Sequence, residues 1–216
     1  MTIGIGEAAL KISEKLRYLP RHWDGKEAIL EMKDKNYRHW KQMEWIGFYF
    51  QFLCERYLSE VMEIPGPKFG NVTFDGLLSL PWDFKAHAMG ERKHKIIVND
   101  SVAIASAISQ YGAFGLIIAL GEAHYNDKAR SFQKWHEELK GGASDYTKER
   151  IDRGAWSRIR KISFDVKKIA LVKIDDETLE RCGTFQVGFR NSNGSPRRPK
   201  VLLDVEDVDE YKIIEF

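Results

Sequence analysis

Residues 114–122, FGLIIALGE, are apolar almost without interruption. A run of this length suits a strand better than a helix, and a strand without polar alternation belongs at the centre of a sheet, covered on both faces. The chain must therefore supply layers on either side of it. The flanking patterns do so. Residues 6–18 carry apolar side chains at helical spacing and stop at Pro20, and residues 25–34 predict a second short helix. Residues 37–62 form the longest periodic segment, so rich in aromatics that most sides of its helix must be buried, and Ile64-Pro65-Gly66-Pro67 ends it. Residues 71–89 read as two extended segments around Gly76, and 95–100 as a third strand. Residues 101–112 predict a small-residue helix with Ser101 as N-cap and Gly112 as its stop. Helices are expected over 127–140 and 146–161, a strand over 167–175, and two strands around a polar turn within 183–205. The expectation is an α/β fold: a mixed central sheet flanked by helices, with extra helices and a C-terminal β-hairpin, as one domain spanning 1–216.

Composition narrows the compartment and the partners. Two cysteines without CxxC spacing argue against a thiolate zinc site and suit a cytoplasmic protein with reduced thiols; Cys54, among aromatics, is a core residue. No stretch approaches the roughly 18 apolar residues of a membrane span. The net charge is only +2, so the protein does not coat nucleic acid, but basic runs at 90–95, 148–161 and 195–200 permit a local positive cleft.

The chemistry concentrates in Asp75-Gly-Leu-Leu-Ser-Leu-Pro-Trp-Asp83-Phe-Lys85. On a strand, Asp83, Lys85 and His87 share one face, while Phe84, Ala86 and Ala88 share the apolar back. Two acids from neighbouring strands suit a hard cation such as Mg²⁺, which is often held by one or two carboxylates plus waters and phosphate oxygens. A lysine two residues beyond the second acid reaches the same point. A lone D-x-K is weak, and on that tripeptide alone a strand with a solvated polar face is the better explanation. The upstream acid, the apolar back and the order helix, three strands, helix, strand make the difference.

With those features in place, residues 40–122 resemble the PD-(D/E)XK nuclease superfamily, especially type II restriction endonucleases. Asp75 and Asp83 match the two motif acids and Lys85 the motif lysine; Phe74 stands where proline is usual, and the second acid is Asp rather than Glu. The resemblance implies Mg²⁺-dependent hydrolysis of double-stranded DNA at a short site, giving 5′-phosphates, by a homodimer. Many members add a helix glutamate; Glu44 and Glu55, eleven residues apart, occupy one helix face, with Gln51 close to it. Either glutamate can instead serve a salt bridge. A junction or repair nuclease on the same core, and a non-catalytic DNA-binding protein, are the alternatives.

Candidate DNA contacts are Arg197, Arg198 and Asn193 in the 191–200 turn, Lys93 in the 91–95 run, and His87 on the active face. Arginine is the usual bidentate reader of guanine, although an exposed hairpin explains the turn as well. Residues 38–43 open the long helix and can face DNA. Glu122 and His124 have the spacing of a metal pair but no third ligand nearby in sequence.

Overall fold

A computed structural model describes the chain except for residues 1–2, 91–94, 127, 144, 156–158, 189, 191–193, 197 and 216. In chain order the elements are α1 (Ile5–Leu16), β1 (His22–Asp24), α2 (Gly25–Asp34), α3 (Trp45–Leu58), β2 (Lys68–Phe69), β3 (Val72–Thr73), β4 (Gly76–Leu78), β5 (Leu80–Ala88) and β6 (Lys95–Asp100). They continue as α4 (Ser101–Tyr111), β7 (Phe114–Tyr125), α5 (Ser131–Leu139), α6 (Asp145–Asp152), β8 (Lys161–Ile174), α7 (Asp176–Cys182), β9 (Gly183–Gln186), β10 (Lys200–Asp204) and β11 (Glu210–Glu215).

The fold is α/β, built on a mixed sheet ordered β1-β8-β7-β5-β4, with β11 added alongside β8. In this sheet, among the described residues, β5 and β7 pair in parallel and the other pairs are antiparallel. The unbroken apolar run falls in β7, and its lack of alternation now has a cause. Ile117 and Ala119 join a cluster with Trp23, Trp45, Phe50 and Phe164, beneath α1, α2 and α3. Leu116, Ile118 and Leu120 join another with Ile96, Val98, Ile104, Val201 and Leu203, beneath α4 and a small second sheet. Both faces of the strand are thus dry.

That second sheet is ordered β6-β10-β9. The third extended segment is indeed a strand, β6, but it pairs with β10 rather than with the strand before it. Alternation marks a strand and its buried face; it does not say which sheet receives it.

Other boundaries move for local reasons. The helix expected over 37–62 begins only at Trp45, so residues 38–43 form turns ahead of it rather than its first turns. The turn expected at Gly76 falls at Ser79, which has φ +66°, while Gly76 lies in β4. A Cβ at Gly76 would stand 2.2 Å from the sulfur of Met62, so glycine here serves packing, not turning. Asp100, not Ser101, caps α4, accepting from the amides of Val102 and Ala103 at 3.0 and 3.3 Å. Gly112 ends that helix in the left-handed region, as its sequence predicts. The helix expected over 146–161 is the shorter α6, and β8 begins already at Lys161. Among the described residues no helix is long and apolar enough to cross a membrane.

One buried polar group makes stability depend on pH. His136 on α5 is fully buried, and its Nε2 donates to the Trp40 carbonyl at 3.0 Å. Its Nδ1 has no partner among the described residues. Burial, helped by the Lys140 charge, pushes its pKa down to about 4. The folded state then binds fewer protons than the unfolded state between pH 6.5 and 4, so stability is complete above that window and falls on acidification through it. His136→Leu should flatten the melting temperature against pH there, removing up to about one proton of linkage. Parallel wild-type and variant curves would refute this role for His136.

Candidate active site

Asp75 immediately precedes β4. One step beyond the Gly76–Trp82 pair it falls opposite Asp83. Three further constraints hold it there. Its backbone N–H donates to the Trp82 carbonyl at 2.9 Å. Its Oδ2 accepts from the Phe84 N–H at 2.7 Å, and its Oδ1 from the Gln51 side chain at 2.9 Å. Behind it, Glu63 and Leu77 exchange backbone hydrogen bonds at 3.0 and 2.8 Å, so the Pro65 segment closes the edge of the sheet.

Asp83 is only 2% exposed. Its Oδ2 accepts from the Asn99 side chain at 3.0 Å and lies 3.6 Å from Nζ of Lys85. Phe84 turns the other way into the aromatic cluster under α3, as strand alternation requires. Asp75 is pushed up to about 7, first by burial and then by the charge of Asp83, with Lys85 opposing. A carboxyl buried beside a second acid resists ionising, and a cation brought to it would ease that.

Glu55 lies on the same side of α3 as Gln51. It accepts from the Tyr37 hydroxyl at 2.9 Å, and burial raises its pKa despite its hydrogen bonds. Its charge also reaches Asp75. Tyr37, Arg38, Gln51, Glu55, Pro65, Thr73 and Asp75 line an open cleft of ≈ 490 Å³. Glu44 is not brought here. It precedes Gln51 by seven residues, about 10 Å along a helix, and its carboxylate pairs with Arg160 at 2.7 Å. The ion pair therefore accounts for Glu44; among the described residues Glu55 forms none, and the neighbouring Arg56 bonds Glu31.

No protein-family model and no curated protein matches this chain. Among solved structures, the chain is similar to the crystal structure of the restriction endonuclease BglI bound to its DNA recognition sequence. That likeness covers 98% of this chain and 87% of the other, at 12% identity and a TM-score of 0.39. So distant a likeness bears on neither chemistry nor substrate.

The remaining candidates separate. His87 lies two residues past Lys85, at the rim of a second open cleft with Met89, Lys168, Glu206 and Glu210. Arg198 is over half exposed, with Nη1 4.0 Å from Oδ1 of Asp100. Lys93, Asn193 and Arg197 lie outside the described residues. His124 does gain neighbours that its sequence surroundings lack: Asp165 bridges it and His22, at 2.6 Å to each ring. Glu122 pairs with Lys167 at 3.4 Å instead. Among the described residues no group of three or more His, Cys, Asp or Glu is arranged to hold a metal ion. Sequence reading missed Asn99 and Tyr37, whose polar contacts join elements far apart in the chain.

Proposed function

We propose that the chain is a metal-dependent endonuclease that hydrolyses phosphodiesters of double-stranded DNA at a short specific sequence, as type II restriction endonucleases do. One observation carries the reading: Asp75 accepts from the Phe84 N–H and falls opposite Asp83 in the strand register, with its pKa pushed up by burial and by its acidic neighbour. A pair of acids with an ammonium beside them is a costly arrangement for a merely structural strand.

The donor set fits Mg²⁺. Two carboxylates are enough protein ligands for an ion that keeps several waters and takes phosphate oxygens. Asp75 and Asp83 would hold it, and Glu55, on the same side of α3 as Gln51, would accept a hydrogen bond from the incoming water. The ion would neutralise charge on the phosphate and acidify the attacking water. Lys85 brings a positive charge and hydrogen-bond donors to the phosphorane as it forms. Water oxygen bonds to phosphorus and loses a proton to solvent, the P–O3′ bond breaks, and the electron pair leaves on the 3′ oxygen, which takes a proton from solvent. The products are a 5′-phosphate and a 3′-hydroxyl. One such site per chain cuts one strand, so cleavage of both strands of a symmetric sequence calls for a homodimer.

Digestion of a mapped plasmid with Mg²⁺, followed by sequencing of the ends, tests this directly. Discrete fragments with 5′-phosphates are expected. Cutting confined to branched or damaged DNA would instead favour a junction or repair enzyme, and no cutting at all would favour a binding protein. The C-terminal turn has its own test. Arg198→Ala should weaken binding to the cleaved sequence by about tenfold in Ca²⁺, the loss of one bidentate base contact, with little change on random duplex. An unaltered preference, measured by fluorescence anisotropy, would remove Arg198 from the recognition surface.

A further inference from the structure

We propose that Asn99 is a positioning residue that ties the aim of Asp83 to the β9–β10 connection, so that DNA contact at that connection is felt at the cleavage site. The inference rests on the nuclease reading above. It starts from the topology: β6 belongs to the second sheet, yet its last residues reach across to the first.

Both ends of the Asn99 amide are committed. The NH₂ donates to Oδ2 of Asp83 at 3.0 Å, and the carbonyl oxygen accepts from the Asp100 N–H at 2.9 Å. That fixes the amide's orientation and leaves it little freedom. Asn99 and Lys85 both approach Oδ2 of Asp83, and no donor to its Oδ1 is found among the described residues. Asp100, 8% exposed, is fixed in turn as the cap of α4. The end of the β9–β10 connection is locked to the same place: the Ser101 N–H donates to the Pro199 carbonyl at 3.0 Å, Lys200 is in register with Asp100, and Arg198 lies 4.0 Å from Asp100. A base or phosphate drawing on the Arg198 guanidinium therefore pulls on a segment one residue from the group that holds Asp83. Residues that orient a metal ligand commonly change affinity or activity 10–100-fold when lost.

The test uses the full chain with two readouts, Tb³⁺ luminescence for cation affinity and single-turnover cleavage of the mapped site at saturating protein. Asn99→Ala should weaken Tb³⁺ binding about tenfold and slow the cleavage step, with DNA affinity unchanged. Asn99→Leu, which keeps the bulk, should do the same, separating the lost donor from any cavity. Arg198→Ala should slow the cleavage step in the wild-type background but not in the Asn99→Ala background. Unchanged Tb³⁺ affinity in both Asn99 variants, or purely additive effects with Arg198→Ala, would overturn the inference while leaving the nuclease reading intact. A wild-type chain that cuts no DNA would instead sink the nuclease reading, and this inference with it.

Discussion

Asp83→Ala should lower the cleavage rate by at least about a thousandfold, since charge stabilisation at such a site supplies several kcal/mol and each ~1.4 kcal/mol is tenfold. DNA binding in Ca²⁺ should change little, because the side chains proposed to contact DNA are untouched. The magnitude follows from how many relations meet at this side chain. It is 2% exposed, its Oδ2 is shared by Asn99 and Lys85, and its charge is the largest influence after burial on Asp75. Asp83→Asn keeps the volume and removes the charge, so it should lose as much activity. Together the two variants separate charge from packing. Lys85→Ala should fall to a similar level yet keep Tb³⁺ binding, because it takes away an ammonium and no ligand. Normal cutting by Asp83→Asn would mean that the catalytic centre is somewhere else.

How much of this could be read beforehand follows the range of the interactions. The central strand and the α4 stop at Gly112 were legible because each is written in a few consecutive residues. So was the facing of Asp83, Lys85 and His87, which needs only the two-residue period of a strand. Glu44 and Glu55 looked equivalent on a helical wheel. They separate because the helix begins at Trp45 and because Arg160, over a hundred residues away, claims Glu44. The turn before the helix, rich in the aromatics of Tyr37 and Trp40, matched a helical period without being helical. Short edge strands escaped notice for a different reason. β1 has three residues, and β11 sits in an acidic tail; each gains its hydrogen bonds only from the long β8. Asn99 could not be found from sequence, since its partner belongs to another sheet.

The packing behind the site should be as sensitive as the site itself. Gly115→Ala is expected to destabilise the protein by about 3 kcal/mol, on the order of 10 °C in melting temperature for a domain of this size. Gly115 stands beside Trp82 across the parallel β5–β7 pair. A Cβ there would come within 2.3 and 2.4 Å of Cε3 and Cζ3 of the indole. The ring has no flexible end to yield. It is 1% exposed, and its N–H donates to the Leu78 carbonyl at 3.0 Å. Its backbone carbonyl accepts the Asp75 N–H, and the next residue is Asp83. Any shift of Trp82 is therefore passed to both acids, and cleavage should fall along with stability. Gly47→Ala supplies the contrast. Nothing lies within 4 Å of a Cβ at that helical position, so the same added methyl should stabilise α3 by up to about 1 kcal/mol. The opposite signs separate contact from propensity, because the chemical change is identical in the two variants. If Gly115→Ala melts with the wild type, Trp82 does not occupy the space against β7, and the backbone that aims Asp75 and Asp83 must be supported in another way.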